Sequence, residues 1–452
     1  MKTDAPRFLF QTLGCRLNQA ESDSMAEQLA ARGVAPVEGD SPPDIVVINT
    51  CTVTREATKA SRSAIRRAVR NHPEAKVVVV GCYAVSNPEE IEAIEGVDLV
   101  VGNDEKERFA EVLDERASTA PLLQLGMRRE GSEALETLVP FRVRANLKAQ
   151  TGCDEWCSFC IIPTTRGPLR TLDEDQLIAE ARSRVEAGAR EIVLTGVHLG
   201  KYLYDRGGDE GDLLRLFDRL LDVEGLWRLR LSSILSNHLT DEVIDYIAGE
   251  PRMCRYLHVP MQAGHDEVLA AMNRPYRIGS FVDRVEKAKE CIDGLALATD
   301  IIVGFPGETE EQFQATLEVT EHTGFSKLHV FRYSERPDTA AAGMVDGVPS
   351  EVKKDRSKRL IALGNRIRSA FLAEHLGRPL ELLVEDERDI DGVTVSSGQT
   401  GDYVRAWFEG GGMFGEMVEV VGERVRADGI AAMYRGRAAS PIGPATRRGV
   451  RA

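Results

Sequence analysis

Cysteine is scarce in this chain, eight among 452 residues. That is too few for a disulfide scaffold, so thiols that cluster read as ligands instead. Long apolar runs are missing too. Nothing approaches the ~18 consecutive apolar residues of a membrane span, and the opening MKTDAPRFLFQTLGC has no run of signal-peptide length. The expectation is a cytoplasmic protein with no membrane partner. Positive charge is in deficit: 57 basic against 72 acidic residues leave −15, which argues against nonspecific binding of nucleic acid by the whole surface. Any RNA contact must be local. No internal repeat is present. What remains is an ordinary globular composition, 42% hydrophobic and long enough for about three domains at ~150 residues each.

One absence is sharper. TGCDEWCSFCIIPTTRG, residues 151 to 167, places Cys153, Cys157 and Cys160 together with no fourth cysteine nearby. A structural zinc site normally closes with four protein ligands. A cubane iron–sulfur cluster takes one thiolate per iron, so three thiols leave one iron open to a small molecule. Zinc, or three unrelated core cysteines, stay open as alternatives, although the polar CDEWCSFC context has no helical or strand period that would bury all three.

Between residues 7 and 115, short apolar strands (RFLFQT, DIVVINT, KVVVVG, VDLVV) alternate with helical patterns such as 21–32 and 54–71. The alternation predicts a doubly wound parallel sheet. Cys15, Cys51 and Cys82 each follow a strand end, at the edge where ligands bind in such sheets. They lie 36 and 31 residues apart, so the topology permits them to converge, or each is a small residue in a tight turn. A connector follows, and then six more strands, at about 143–149, 191–196, 227–233, 256–261, 297–303 and 327–333. Helices at about 173–187, 212–223, 240–248, 280–292 and 309–322 separate them, with capping boxes expected at Thr171/Glu174 and Thr309/Gln312. Six βα units predict a partial (β/α)6 barrel whose carboxyl-end loops carry the site, and CDEWCSFC directly follows its first strand. A basic helix over 351–370 leads to short strands with Gly-rich turns, read as a small OB-like β-barrel. The expected divisions are 1–118, a connector at 119–138, the partial barrel at 139–370, the small barrel at 371–438 and a basic, flexible tail at 439–452.

CxxxCxxC after the first strand of a partial barrel resembles the radical S-adenosylmethionine enzymes, and more specifically the methylthiotransferases. TLGCRLNQAESD, VINTCTVT and VVVVGCYA look like the three cysteine boxes of that family's amino-terminal domain, and the last barrel looks like its TRAM domain. INTCTVTREATKASRSAIRRA, EIVLTGVHLG and DIIVGFPGETEEQF are most similar to the branch acting on N6-threonylcarbamoyladenosine at position 37 of tRNA. The resemblance implies two [4Fe–4S] clusters, one on Cys153, Cys157 and Cys160 that binds S-adenosylmethionine, the other an auxiliary cluster on Cys15, Cys51 and Cys82. It also implies a radical route to sulfur insertion at adenosine C2, with a second S-adenosylmethionine as methyl donor. Phe159 resembles the family's aromatic near the adenine. Gly196, Ser232, Gln262 and Gly304 occupy pocket positions, but SSILSNH has Leu235 where an acidic residue is usual, and Ala263 stands where serine is usual. The implied partners are the tRNA anticodon loop and an electron donor such as flavodoxin or ferredoxin.

Lys59, Arg62, Arg66, Arg67 and Arg70 recur at helical spacing after Cys51 and could neutralise phosphates, or form a solvated face. With Lys353, Lys354, Arg356, Lys358 and Arg359 they suggest a local RNA track. Tyr403, Trp407 and Phe408 are candidates for base stacking, with core packing as the alternative. His258 reads as a satisfied pocket histidine, and Cys254 and Cys291 as buried structural thiols. The competing functions are methylthiolation of isopentenyladenosine or of a ribosomal protein and, from another class, a non-catalytic iron–sulfur RNA sensor.

Overall fold

The computed structural model describes residues 5–39, 41–116, 142–345 and 347–438. The expected connector and basic tail lie outside these residues. The chain forms two compact units. One comprises Met1–Phe141, Gln150–Arg170 and Ser334–Gly343, and the other Arg142–Ala149, Thr171–Tyr333 and Met344–Ala452. The CDEWCSFC loop thus belongs with the amino-terminal sheet, although in sequence it interrupts the barrel.

The first unit is built on five parallel strands in the order β2-β1-β3-β4-β5. They are β1 (Arg7–Thr12), β2 (Ala35–Pro36), β3 (Ile45–Thr50), β4 (Lys76–Gly81) and β5 (Leu99–Val101). Both faces of β3 and β4 are covered, which is why IVVI and VVVV run apolar without alternation. On one face Val47, Val78 and Val80 pack with Met25, Leu29 and Phe109; on the other Val46, Ile48 and Val79 pack with Ile65 and Tyr83. Helix α1 (Arg16–Ala30) follows β1, and α2 (Arg55–Asn71) follows β3, capped by Thr54, whose hydroxyl accepts from the Ala57 amide. The first expected helix therefore starts five residues earlier than its apolar period showed, at Arg16 rather than residue 21. Its buried face includes Asn18, Glu21, Ser22 and Asp23, polar residues that mask an amphipathic pattern.

In the second unit, parallel strands Arg144–Lys148, Glu191–Thr195 and Arg228–Leu231 form one half of a partial barrel. Strands Tyr256–His258, Ala296–Val303 and Lys327–Arg332 form the other half. Parallel bridges Leu229↔Met253 and Ser233↔His258 join the halves into the expected six-stranded layer. The outer helices bury one stripe each; in Glu210–Leu221 it is Leu213, Leu216, Phe217 and Leu220. The Thr309/Gln312 capping box forms. The Thr171/Glu174 box does not: Asp173 caps that helix, while Thr171 lies in a strand and donates its hydroxyl to Asp205 at 2.6 Å. A box not foreseen, Asp209/Asp212, caps the next helix.

Five strands between Pro379 and Arg437 close into the small barrel, which includes a fifth strand, Gly429–Arg437, that the sequence reading passed over. It is fixed to the amino-terminal ends of the partial-barrel strands. Buried Glu191 pairs with Arg228 at 2.5 Å and Arg230 at 2.6 Å, and these arginines donate onward to the carbonyls of Gln399, Thr400 and Gly401. Arg144 reaches Glu385 at 3.1 Å. Cys254 is buried as expected; Cys291 is exposed at a helix end. Among the described residues no helix is long and apolar enough to cross a membrane.

Candidate active site

Cys15, Cys51 and Cys82 stand just beyond the carboxyl ends of β1, β3 and β4, which are neighbours in the sheet. Parallel register (Thr12↔Asn49, Thr50↔Gly81) brings the three turns to one edge. The approach is close enough to demand glycine twice. A Cβ on Gly14, at φ +95°, would sit 2.7 Å from Cys51 Cβ and 2.9 Å from its sulfur, and one on Gly81, at φ +102°, would meet the Thr50 carbonyl at 2.4 Å. Ser61 of α2 holds Cys51 from both sides, accepting from its amide at 3.0 Å and donating to its carbonyl at 2.9 Å. Asn103 donates to Cys82 Sγ at 3.7 Å and to the Thr165 carbonyl at 2.8 Å. Burial pushes the Cys51 thiol up to about 11, with Cys82 and Cys15 adding to the rise.

Behind this edge lies a polar network that the sequence reading did not single out. Arg166, at the end of the short helix after Cys160, donates to Glu21 at 2.7 Å and to Asn18 at 2.6 Å; Lys106 pairs with the same Glu21 at 2.7 Å and donates to Asn49 at 3.0 Å. All three charged side chains are about 1% exposed. Burial pulls the Arg166 guanidinium down, but Glu21 and the thiols of Cys82 and Cys15 outweigh it and the net shift is upward. Two cations against one carboxylate leave a buried positive excess beside three thiols. A thiolate-ligated cluster, which is anionic, supplies the missing charge, so the donor set fits such a group. Asn18 and Glu21 were within reach of sequence reasoning, since both stand in TLGCRLNQAESD.

The second triad is local. Cys153, Cys157 and Cys160 lie in a loop held by turns: the Cys153 amide donates to Gly167, the Glu155 amide to Cys153 Sγ at 3.4 Å, and the Cys160 amide to Cys157. Burial raises the Cys153 thiol to about 11. Phe159, between the last two thiols, is half-buried. Among the described residues no three His, Cys, Asp or Glu side chains close on a point as a single metal ion requires.

The barrel positions divide. Ser232, at the end of a strand, and Gln262, in a left-handed turn at φ +66°, each bury a side-chain oxygen that has no hydrogen-bond partner. Such atoms at the carboxyl edge fit a polar ligand. Gly196 follows the strand Glu191–Thr195 and is half-buried. Gly304, at φ +71°, is committed internally: its amide donates to Glu308 at 2.6 Å, and Lys353 carbons fill the space beside it. His258 lies 3.0 Å from Asp300 and stacks on His329, but its Nε2 is buried without a hydrogen bond, so the expected satisfied histidine is corrected.

The expected RNA residues also divide. Lys59, Arg66, Arg67 and Arg70 are exposed on α2, whereas Arg62 pairs with Glu90 and contacts Tyr83. Arg356 is corrected: it is buried, its guanidinium bound to Glu308 at 2.6 Å, so it faces no solvent track. Lys353 lies over the Tyr333 ring, and Lys354 is exposed near Glu351. Lys358 is exposed, while Arg359 pairs with Glu310 at 2.6 Å. Phe408 is barrel core, and Tyr403 stacks on Tyr256 with Arg230 over its ring, so neither is a base platform. Trp407 is half-buried between Arg405 and Arg426.

Residues 7–102 match the uncharacterized protein family UPF0004, and residues 147–320 match the radical SAM superfamily. A threonylcarbamoyladenosine tRNA methylthiotransferase, MtaB, of Bacillus subtilis is 39% identical over 91% of this chain and 92% of its own length. The chain belongs to the radical SAM methylthiotransferase family. The Aquifex aeolicus protein of the same name is 35% identical over 84% of this chain and 92% of its own. A tRNA-2-methylthio-N(6)-dimethylallyladenosine synthase of Endomicrobium trichonymphae is 32% identical over 84% and 88%. Among solved structures, the radical S-adenosylmethionine methyltransferase TsrM of Kitasatospora setae shares the fold, with a TM-score of 0.55, 16% identity and coverage of 75% of this chain and 77% of its own.

Proposed function

We infer that this methylthiotransferase modifies tRNA at C2 of N6-threonylcarbamoyladenosine 37, using S-adenosylmethionine and two [4Fe–4S] clusters. The observation that carries the reading is full-length similarity to proteins of that name, 39% over 91% of the chain. Cys153, Cys157 and Cys160 would hold the cluster that binds S-adenosylmethionine, and Cys15, Cys51 and Cys82 the auxiliary one. When bound, these groups supply the one-electron chemistry that a C2–H bond needs, being neither acidic nor polarised and so beyond side-chain acid/base catalysis.

The chain's own residues hold and shield. Gly14 and Gly81 let the thiol-bearing turns approach, and Ser61 fixes Cys51 in place. Arg166 and Lys106 balance thiolate charge. Ser232 and Gln262 present unpartnered oxygens to the polar groups of S-adenosylmethionine, with Phe159 and Gly196 as further contacts. Gly304 shapes its turn without offering its amide. Exposed Lys59, Arg66, Arg67 and Arg70 would meet anticodon-loop phosphates, with Lys353 and Lys354 as further cations of the track. The same reading places the enzyme in the cytoplasm with a flavodoxin or ferredoxin as electron donor, and divides the chain into an auxiliary-cluster domain to residue 118, a radical SAM barrel over 139–370 and a TRAM-like barrel over 371–438.

Mass spectrometry of tRNA nucleosides from a deletion strain tests the assignment. The unthiolated threonylcarbamoyl nucleoside should accumulate and the methylthio form vanish. Accumulation of the dimethylallyl nucleoside instead would move the enzyme to the other tRNA branch.

A further inference from the structure

Arg336, in the Ser334–Gly343 stretch of the first unit, is only 6% exposed and has no carboxylate partner. One terminal nitrogen donates to Thr58 at 3.1 Å and lies 3.5 Å from the Thr52 hydroxyl. Its Nε and other terminal nitrogen are buried with no partner at all. These two atoms form the side-on edge of the guanidinium, which matches two oxygens of one planar anion. Leaving that edge unmade costs about 1–3 kcal/mol or more for a charged group, so a structure that keeps it is built for a ligand.

The arginine opens into a cleft of about 500 Å³ lined also by Arg55, Lys59, Arg62 and Arg66 of α2, with no carboxylate in its wall. Arg55 reaches Glu335 at 3.5 Å, and Arg62 is paired with Glu90. Lys59 and Arg66 have no ion pair with any described residue. Arg336 links the cleft to the candidate cluster edge: it lies 3.5 Å from the hydroxyl of Thr52, the neighbour of Cys51, and Ser61 of α2 holds Cys51. Burial and the nearby Arg55 lower the proton affinity of Arg336, as expected for a cation still lacking its counter-ion.

We propose that Arg336 is the specificity residue for the N6 substituent, its free fork binding the carboxylate of the threonylcarbamoyl group while the exposed α2 cations take tRNA phosphates. This rests on the function inferred above. An N6-dimethylallyl group has no anion to offer, so the same fork would leave it unrewarded and discriminate between the two tRNA branches. A phosphate is the other source of such an anion, but one buried fork presents a single planar contact, whereas phosphates are served by the mobile, solvated side chains at the rim.

The test is the affinity of the anaerobic holoprotein for two anticodon stem-loops, one with N6-threonylcarbamoyladenosine and one with its threonine carboxamide. The wild type should favour the acid by about 10- to 100-fold, the range of a charge-assisted hydrogen-bonded pair. Arg336→Gln should bring the ratio near one, and Arg336→Lys should restore part of it, with iron content checking that each variant folds. Equal wild-type affinities, or a variant that weakens both RNAs equally, would overturn the carboxylate assignment, the latter in favour of a phosphate. If a variant fails to fold, the wild-type ratio alone decides. Turnover of the threonylcarbamoyl RNA by the wild type, measured separately, reports on the inferred substrate and not on Arg336.

Discussion

The two cysteine triads of the first unit, each proposed to hold a cluster, are assembled by opposite routes. Cys153, Cys157 and Cys160 occupy eight consecutive residues, held chiefly by turn hydrogen bonds, with one long-range bond from the Ala341 amide to the Ser158 carbonyl. Cys15, Cys51 and Cys82 span 68 residues and meet because three parallel strands end side by side. The loop triad is set mainly by its spacing. A sheet-edge triad needs the whole fold: both triads depend on close-approach glycines, Gly14 and Gly81 at the sheet edge and Gly152 beside Cys153, but only the sheet-edge triad has Ser61 on Cys51 and the Arg166–Glu21–Lys106 network behind it.

The contrast is sharpest in ligand variants. Cys157→Ala should abolish reductive cleavage of S-adenosylmethionine and remove roughly half the iron, since one of two cubanes is lost. Cys51→Ala should remove a similar share of iron and abolish methylthio transfer while cleavage persists. Iron analysis with assay of 5′-deoxyadenosine and methylthiolated RNA checks both, and identical losses in the two variants would break the distinction. Glu21→Gln comes next. It leaves Arg166 and Lys106 as buried cations without a carboxylate, so denaturant unfolding should show a loss of about 3–5 kcal/mol. Auxiliary iron should fall before loop-triad iron, and equal loss from both would show that the network serves neither triad in particular.

Gly81→Ala should cost about 1–3 kcal/mol, because its left-handed backbone has a carbonyl where the new methyl would go. Gly152→Ala, where a Cβ would meet the Pro168 carbonyl at 1.8 Å, should cost as much or more and fall on loop-triad iron instead; loss of auxiliary iron from it would weaken the contrast. The smallest effect lies away from both triads. Burial pulls His375 down, but its 2.5 Å contact with Asp402 outweighs this and the imidazole is raised above its ordinary 6.5; Asp402 is held below 3.8 despite its burial. The pair therefore stabilises the small barrel fully between those values. The His375 contribution fades as pH rises through its elevated pKa, and that of Asp402 as pH falls through its depressed one. Thermal melts from pH 6 to pH 9 should show a decline of no more than about 1 kcal/mol that His375→Gln flattens, with iron content unchanged throughout.

The same contrast governs what could be read from the residues alone. The loop triad was visible as spacing, and the strand ends bearing the other thiols were visible as apolar runs, because both are local signals. Convergence of Cys15, Cys51 and Cys82 depended on strand order, which periodicity does not encode. Arg356 had the composition of an RNA contact but is spent on Glu308, a partner 48 residues away. Arg336 showed the reverse, an unremarked residue whose unused donors appear only once the chain is folded. The Thr171 box failed because Asp173, two residues on, is the better-placed cap.

Mössbauer spectroscopy of the anaerobically purified, iron-57-labelled chain tests the central claim most directly. Two [4Fe–4S] clusters should be present in the intact protein, and one each in Cys51→Ala and Cys157→Ala. A single cluster that survives Cys51→Ala unchanged, or zinc in place of iron at either triad, would contradict it.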